Sequence, residues 1–342
     1  MPALAEEAVE GEAVNVGAAR HPRVVIYKKN PHGYRSVGSL IAGGSVQTIK
    51  MADSDLIRDA EQKLGLLPNL LIIGAPKCGT TSLHHYLDAH PEISMSDVKE
   101  LDFFVPDRNW ANGVDWYRSN FTTDAPVRGE SSTTYTRDDC AVDAARLIHE
   151  VLGTPKLIYL VRDPIERMRS DYHQFRAVGI EQRPVEEALA EPDNRYLEAS
   201  RYGSRVAPYV EWIGKENILV ESQERLLTDR GAVLSRIFEF VGVRSDFQSA
   251  EFARMWERSE GKGWAYGLGW RLRSRGIRLP AFLRWPAQRL QRSRLAGGAA
   301  ETARPPEISA RLRQDLTVAL RPEAERLREL TGAEFPEWRL SS

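Results

Sequence analysis

The sequence contains only two cysteines, Cys78 and Cys140, among its 342 residues. Two thiols are too few for a disulfide framework, which excludes the class of small secreted domains that disulfides hold together. Long apolar runs are also missing: the stretch at 66–75 is interrupted by Pro68 and Asn69 and is far shorter than the ~20 residues of a membrane-spanning helix. Residues 1–30 contain no apolar segment of the signal-peptide type, so we expect a cytoplasmic protein.

Net charge is nearly absent as well, because 47 basic and 48 acidic residues leave a formal charge of −1. A chain so balanced has no overall field that would attract nucleic acid, and we expect no nucleic-acid partner. Any anion-binding site must therefore be formed locally. The hydrophobic content of 42% is enough to bury a full core, so we expect one large domain with terminal extensions.

Patterns of buried strands alternate with helical patterns along most of the chain. Continuous apolar runs at 69–74, 156–161 and 217–221 are typical of strands that are covered on both faces. Each run precedes a helical pattern, and these patterns lie at 80–89, 164–177 and 229–241. The alternation predicts an α/β fold, with a P-loop-like parallel β-sheet flanked by helices and ligands bound at the carboxyl ends of the strands.

The two ends of the chain differ from this central region. Residues 1–20 have almost no large apolar side chains, so we expect residues 1–50 to form a partly disordered N-terminal extension. Residues 51–342 would then form a single domain. Within it, residues 261–300 contain eight arginines and no acidic residue. Such a stretch is usually a solvated face, but it could instead line an acceptor entrance or contact an anionic membrane surface. We expect a basic lid or acceptor-side insertion at 261–305 and a C-terminal helix within 306–334.

The loop after the first predicted strand has the character of a phosphate site. Residues 74–82 read Gly-Ala-Pro-Lys-Cys-Gly-Thr-Thr-Ser, and backbone N–H groups and a helix N-terminus converge there. Gly74 and Gly79 have the spacing of a nucleotide triphosphatase loop, but Thr80 stands where the lysine of that motif belongs. Lys77 lies inside the loop instead, which suits a nucleotide with a single 5′-phosphate. We expect that phosphate to be bound by Lys77, Cys78, Gly79, Thr80, Thr81 and Ser82.

A second phosphate site is predicted where the strand at 156–161 ends. Arg162 follows this strand, and its planar guanidinium can donate two hydrogen bonds to one phosphate. Ser170 lies two turns into the following helix on the facing side. Taken alone, Arg162-Asp163-Pro164 is also a common structural turn between a strand and a helix. Together with the loop, it fits an adenosine that carries phosphates at two positions.

These two segments resemble a known family. Residues 71–83 resemble the 5′-phosphosulfate loop, and residues 160–172 the 3′-phosphate site, of sulfotransferases that use 3′-phosphoadenosine-5′-phosphosulfate (PAPS). The heparan sulfate sulfotransferase-like branch and its bacterial relatives are the most similar. The resemblance implies a sulfotransferase domain over 51–342, PAPS as donor and 3′-phosphoadenosine-5′-phosphate (PAP) as product. We also expect nucleotide contacts from Tyr202 and from Lys262 and Gly263, since the latter two resemble the family's late Lys-Gly segment.

The candidate base comes from a third resemblance. Residues 99–104 read Lys-Glu-Leu-Asp-Phe-Phe and are similar to the family's Lys-Glu-x-His-Phe-Phe, which implies that Glu100 is the catalytic base. Asp102 replaces the usual histidine. Residues 128–135 resemble the family's Gly-Glu-x-Ser/Thr-Pro-x-Tyr segment, with Ser131 where some members have a substrate-side lysine. The alternative for Glu100 is a solvated carboxylate or one that is paired with Lys99.

The expected reaction is in-line transfer of a sulfuryl group to a hydroxyl or amine of a carbohydrate, glycolipid or secondary-metabolite acceptor. Lys77 would stabilise the leaving phosphate, and Glu100 would take the acceptor's proton. A sulfuryl centre carries one negative charge fewer than a phosphoryl centre, so we expect no metal. The alternatives are a P-loop kinase and a nucleotide-binding module without catalysis. The sequence predicts no particular oligomeric state.

Overall fold

The computed structural model describes residues 67–340, except 138–139, 255 and 257–303, and the backbone of three strands near the N-terminus. The chain divides into two compact units, residues 1–63 and residues 64–342. The first unit contains an antiparallel sheet of three strands in the order β1-β2-β3, namely β1 (Arg23–Ile26), β2 (Gly38–Ala42) and β3 (Ser45–Ile49).

The second unit is built on a parallel sheet whose five strands have the order β5-β6-β4-β7-β8. They are β4 (Leu70–Gly74), β5 (Ile93–Met95), β6 (Val127–Ser131), β7 (Lys156–Val161) and β8 (Ile218–Ser222). Every residue of β4 is buried, as in a strand covered on both faces. The structure thus confirms the predicted α/β fold with a parallel sheet and places β4 at its centre.

Helices connect and cover these strands. They are α1 (Thr80–Asp88), α2 (Gly113–Arg118), α3 (Cys140–Leu152), α4 (Pro164–Ala177), α5 (Val185–Ala190), α6 (Arg195–Glu198), α7 (Tyr202–Ile213), α8 (Gln223–Thr228), α9 (Arg230–Val241) and α10 (Ala310–Thr331). The predicted helices after β4, β7 and β8 and the C-terminal helix are therefore present. Within the described part of the chain, no helix has the length and apolar character needed to cross a membrane.

The C-terminal helix α10 is closed at both ends by side-chain and backbone chemistry. The Ser309 hydroxyl accepts a hydrogen bond of 3.2 Å from the Leu312 N–H, which satisfies one of the free donors of the first turn. Gly332 follows the last turn in the left-handed conformation, with φ of 73°. Buried leucines along the helix face the core, so α10 closes the domain against α7.

Candidate active site

The phosphate loop runs from the end of β4 to the start of α1. Lys77 and Gly79 both have left-handed backbones, with φ of 71° and 87°. A Cβ atom on Gly79 would lie 3.2 Å from the Gln223 side-chain nitrogen, closer than a side chain normally packs. Glycine is therefore needed there both for its backbone conformation and for its small size. The turn directs the N-terminal N–H groups of α1 toward one point, as an anion site requires.

Two residues predicted to bind nucleotide support the loop from the core side. The Cys78 side chain is fully buried, and its Sγ lies 3.8 Å from the Tyr202 hydroxyl oxygen. Burial raises the pKa of Cys78 to about 12, so the thiol stays uncharged. The Tyr202 side chain is also buried, in edge contact with Tyr159. Neither residue is among those that line the cavity described below. Nucleotide contacts from them remain predictions of the sequence.

The second phosphate motif is held by its middle residue. The Asp163 side chain caps α4, because its Oδ1 accepts hydrogen bonds from the N–H groups of Ile165 and Glu166 at 3.0 and 3.1 Å. Pro164 occupies the first helical position, where no hydrogen-bond donor is needed. Asp163 and Pro164 thus have structural roles. They leave Arg162 at the carboxyl end of β7.

An open cavity of about 150 Å³ joins the two predicted phosphate sites. The phosphate loop and β7–α4 line it together with α8 and α9, through Lys77, Gly79, Ser82, Tyr86, Arg162, Ser170, Gln223, Leu226, Leu227 and Arg230. Among these described residues there are three cationic side chains and no carboxylate. The cavity therefore favours a ligand with several negative charges.

Five of these lining residues were not found from the sequence. Tyr86 lies on α1, Gln223 and two leucines lie on α8, and Arg230 begins α9. A signal was present, since α8 starts at the carboxyl end of β8, and this is the edge of a parallel sheet where ligands bind. The strand at 217–221 could thus have pointed to the residues that follow it.

Lys99 connects the phosphate loop to the candidate base. Its Nζ lies 2.7 Å from Oε1 of Glu100 and 3.3 Å from the Thr80 hydroxyl. Thr80 and Thr81 occupy the first turn of α1, but neither is among the residues that line the cavity. The ion pair that the sequence offered as the alternative for Glu100 is therefore present. It joins the helix that follows the phosphate loop to the acceptor side of the site.

Glu100 is fixed by its surroundings in one ionisation state. Its backbone is left-handed, with φ of 61°, and its Oε2 accepts a hydrogen bond of 2.9 Å from the Thr133 N–H. Burial raises the pKa of the carboxyl, but Lys99, Arg137 and the Thr133 N–H outweigh this and lower the pKa to about 2. The side chain is still 32% exposed. Glu100 is thus ionised at any physiological pH and within reach of a ligand.

A buried carboxylate holds the segment that carries Glu100. Glu130 at the end of β6 is fully buried. Its Oε1 accepts hydrogen bonds from the hydroxyls of Tyr117 and Tyr135 at 2.9 and 2.6 Å, and its Oε2 accepts one from Ser132 at 2.7 Å. We call these four residues the Glu130 network. Burial raises the pKa of Glu130 to about 7 against the effect of these bonds, while three donors on two oxygens favour the ionised form.

The Glu130 network reaches back to the segment at 99–104. The Tyr135 hydroxyl accepts a hydrogen bond of 3.1 Å from the Phe103 N–H, and the Ser132 hydroxyl accepts one of 3.0 Å from the Asp102 N–H. The Phe103 ring also stacks on Tyr117, with centroids 4.3 Å apart. The sequence identified the segment at 128–135 by resemblance but gave no role to Glu130. The structure shows that it positions the backbone beside Glu100.

Asp102 occupies the place of the family's histidine. It is buried, and its Oδ2 accepts a hydrogen bond from Arg108. Burial raises the pKa of Asp102, although Arg108 acts in the opposite direction. Its Oδ1 is buried without a hydrogen-bond partner. A carboxylate paired with an arginine thus stands beside the base, in place of an imidazole.

Comparison with known proteins agrees with this geometry. The family model of the sulfotransferase domain matches residues 67–260, which include both phosphate motifs and the segment with Glu100. The chain belongs to the sulfotransferase family. The likeness to a sulfotransferase structure from Alicyclobacillus acidocaldarius, with a TM-score of 0.57 and 23% identity over 80% of this chain and 99% of that one, supports the same fold.

Curated relatives of this sulfotransferase are similar over part of their length. The membrane-associated sulfotransferase kil1 of Dictyostelium discoideum is 37% identical over 118 residues, which are 33% of this chain and 24% of kil1. Heparan sulfate glucosamine 3-O-sulfotransferase 3A1 of Mus musculus is 29% identical over 217 residues, which are 59% of this chain and 52% of that protein. The sulfotransferase thus spans about half, or less, of these relatives.

The late Lys-Gly segment of the sulfotransferase lies outside the described residues, and so do Lys262, Gly263 and most of the expected insertion at 261–305. Of the described residues on either side, Trp256 donates its backbone N–H to the Ser82 hydroxyl at 3.2 Å. The Pro306 carbonyl accepts a hydrogen bond of 2.9 Å from Arg169, which precedes Ser170. In the part of the chain that the structure describes, no cluster of His, Cys, Asp and Glu side chains could hold a metal ion.

Proposed function

We propose that this sulfotransferase transfers the sulfuryl group of PAPS to a hydroxyl or amine of a carbohydrate, glycolipid or secondary-metabolite acceptor. The cavity is the observation that carries this proposal. Lys77, Arg162 and Arg230 line it from three different elements, with no carboxylate among the described lining residues. A nucleotide with phosphate groups at its 3′ and 5′ ends matches that distribution of charge.

Each part of the donor has a matching set of side chains. Arg162 and Ser170 would bind the 3′-phosphate, and the loop N–H groups with Ser82 would bind the 5′-phosphate. Tyr86 and the two leucines of α8 offer an apolar surface for the nucleoside, and the Gln223 amide offers hydrogen bonds to it. The residues of the cavity therefore fit the donor in charge and polarity.

The chemistry follows from where Lys77 and Glu100 lie. The acceptor oxygen or nitrogen forms a bond to sulfur, the bond from sulfur to the 5′-phosphate oxygen breaks, and PAP leaves with its charge stabilised by Lys77. The acceptor's proton passes to Glu100. A carboxylate with a pKa of about 2 is a weak base, so this transfer belongs late in the reaction, when the acceptor has become strongly acidic. The sulfuryl centre carries too little charge to require a metal, and we propose none.

A cytoplasmic location and an acceptor-side role of residues 261–305 belong to the same proposal. The location rests on the low cysteine content of the chain, and the acceptor-side role rests on the run of arginines. The contact of this stretch with an anionic membrane surface is the other role that its charge favours.

Calorimetric titration with PAP in EDTA tests the proposed donor. We expect wild type to bind with a micromolar dissociation constant, about −8 kcal/mol. Lys77→Ala and Arg162→Ala should each weaken binding by about tenfold or more, because each removes a charged hydrogen bond to a phosphate. Arg146→Ala is the matched control, since Arg146 forms only ion pairs on the surface of α3. Binding of Mg-ATP in place of PAP would instead support a kinase.

A further inference from the structure

Arg137 lies where the phosphate loop and the candidate base meet. It follows the turn Thr133–Thr136, which contacts both parts of the site. At one end of the turn the Thr133 N–H binds Glu100 at 2.9 Å. At the other end the Thr136 hydroxyl donates to the Ile73 carbonyl at 3.1 Å, directly before the phosphate loop. Arg137 thus lies directly after a turn that contacts both of them.

The guanidinium of Arg137 differs from its cationic neighbours in lacking a partner. Lys99 is paired with Glu100, and Arg108 with Asp102. Among the residues that the structure describes, Arg137 has no side-chain hydrogen bond or ion pair, and its Nε is buried without an acceptor. A buried donor without a partner is costly. Such a group in an active site points to an anionic ligand.

Two carboxylates respond to the charge of Arg137. Burial raises the pKa of Asp171, but Arg167, Arg137 and, more weakly, Lys77 lower it below its ordinary value. Arg137 acts in the same direction on Glu100. Arg137 is therefore near enough to Glu100, and to Asp171 on α4, to affect both carboxylates.

We propose that Arg137 binds the sulfuryl group of PAPS while this group passes from the 5′-phosphate to the acceptor. The inference rests on the proposed function, because it names a contact of that same donor. The sulfuryl group keeps one negative charge throughout, and it lies between Lys77 and Glu100 when the three groups are in line. The planar fork of Arg137 can donate two hydrogen bonds to two sulfuryl oxygens, which orients the sulfur for attack.

The two nucleotides PAPS and PAP separate this contact from all others, because PAP lacks the sulfuryl group. Titration of Arg137→Gln with both should show PAPS binding weakened by about ten- to a hundredfold, with PAP binding unchanged. Arg137→Lys keeps the positive charge but loses the planar guanidinium, so its affinity for PAPS should lie between those of Arg137→Gln and wild type. Arg146→Gln is the matched control, since Arg146 forms ion pairs with Asp143 and Glu150 on the surface of α3, and it should bind both nucleotides as wild type does.

Three outcomes would overturn the proposal. If Arg137→Gln and Arg137→Lys bind PAPS as wild type does, Arg137 makes no contact with the sulfuryl group. If both variants lose PAP and PAPS equally, the contact is to a phosphate. If PAPS binding is intact and only the KM for an anionic acceptor rises, Arg137 recognises the acceptor. Failure of wild type to bind PAP at all would contradict the proposed function itself, and the inference with it.

Discussion

Removal of one hydroxyl from the Glu130 network should destabilise the protein and displace its candidate base. The Tyr135 hydroxyl donates to Oε1 of Glu130 at 2.6 Å and accepts from the Phe103 N–H at 3.1 Å. Tyr135→Phe deletes both bonds, together with a longer one of 3.5 Å from the Phe104 N–H, and leaves the buried Phe103 N–H without an acceptor. A lost hydrogen bond to a charged group costs about 1.5–3 kcal/mol, and an unpaired buried donor costs about 1–3 kcal/mol. Because the two effects occur at one site, they do not add fully, and we expect the free energy of unfolding to decrease by about 3 kcal/mol in total.

Urea denaturation measures this loss, and Tyr172→Phe provides the matched control. The Tyr172 hydroxyl donates one hydrogen bond of 2.8 Å, to the Arg183 carbonyl, so the same chemical change there should cost only about 1 kcal/mol. Tyr135→Phe should also lower kcat, because Phe103 and Glu100 lie on one segment, while Tyr172→Phe should not. Equal destabilisation by the two variants would refute the role assigned to the network.

Four further outcomes follow from the same contacts. Because the pKa of Glu130 is raised from 4.5 to about 7, its contribution to stability is full below about pH 4.5 and is lost as the pH rises through about 7. Urea denaturation gives the difference between the unfolding free energy of wild type and that of Glu130→Gln. This difference should therefore decrease as the pH rises from about 5 to about 8, and a difference that stays constant with pH would contradict this. Lys99→Gln should raise the pKa of Glu100 and move the acid limb of the kcat/KM profile to higher pH, whereas an unmoved limb would separate Lys99 from the base. Gly79→Ala should cost about 1–2 kcal/mol in urea denaturation, because alanine is strained at this backbone angle, and it should weaken PAP binding in calorimetry; a neutral substitution would mean that the loop adjusts. Glu100→Gln should abolish turnover in a PAP-release assay with PAP affinity nearly unchanged, and normal turnover would remove Glu100 as the base.

The parts of the site that the sequence predicted are local in the chain. The loop at 74–82 and the turn at Arg162 each join one buried strand to the next helix, so a single segment contains the strand, the ligand-binding groups and the helix. The apolar runs fixed the position of both segments at the same edge of the sheet. In the structure, the cavity lining brings together Lys77, Gly79, Ser82, Arg162 and Ser170 from both segments.

The parts that the sequence did not predict depend on tertiary contacts. Glu130 and Tyr135 are five residues apart, but their role arises from contacts with Phe103, which no spacing in the sequence reveals. The direction of a side chain is hidden for the same reason, as Tyr202 shows by packing against Cys78 in the core. For Arg137, the sequence showed only that a basic residue follows soon after the recognised segment at 128–135. Its lack of a partner could be seen only with the fold in place.

An assay of sulfuryl transfer is the most direct test of the proposed function. Wild type would be incubated with radiolabelled PAPS and a panel of hydroxyl and amine acceptors in EDTA, and labelled product and released PAP would be counted. We expect equal amounts of both, with Lys77→Ala and Glu100→Gln nearly inactive and Arg146→Ala unaffected. Tight PAP binding without labelled product on any acceptor would contradict the proposed function and would indicate a nucleotide-binding module without catalysis.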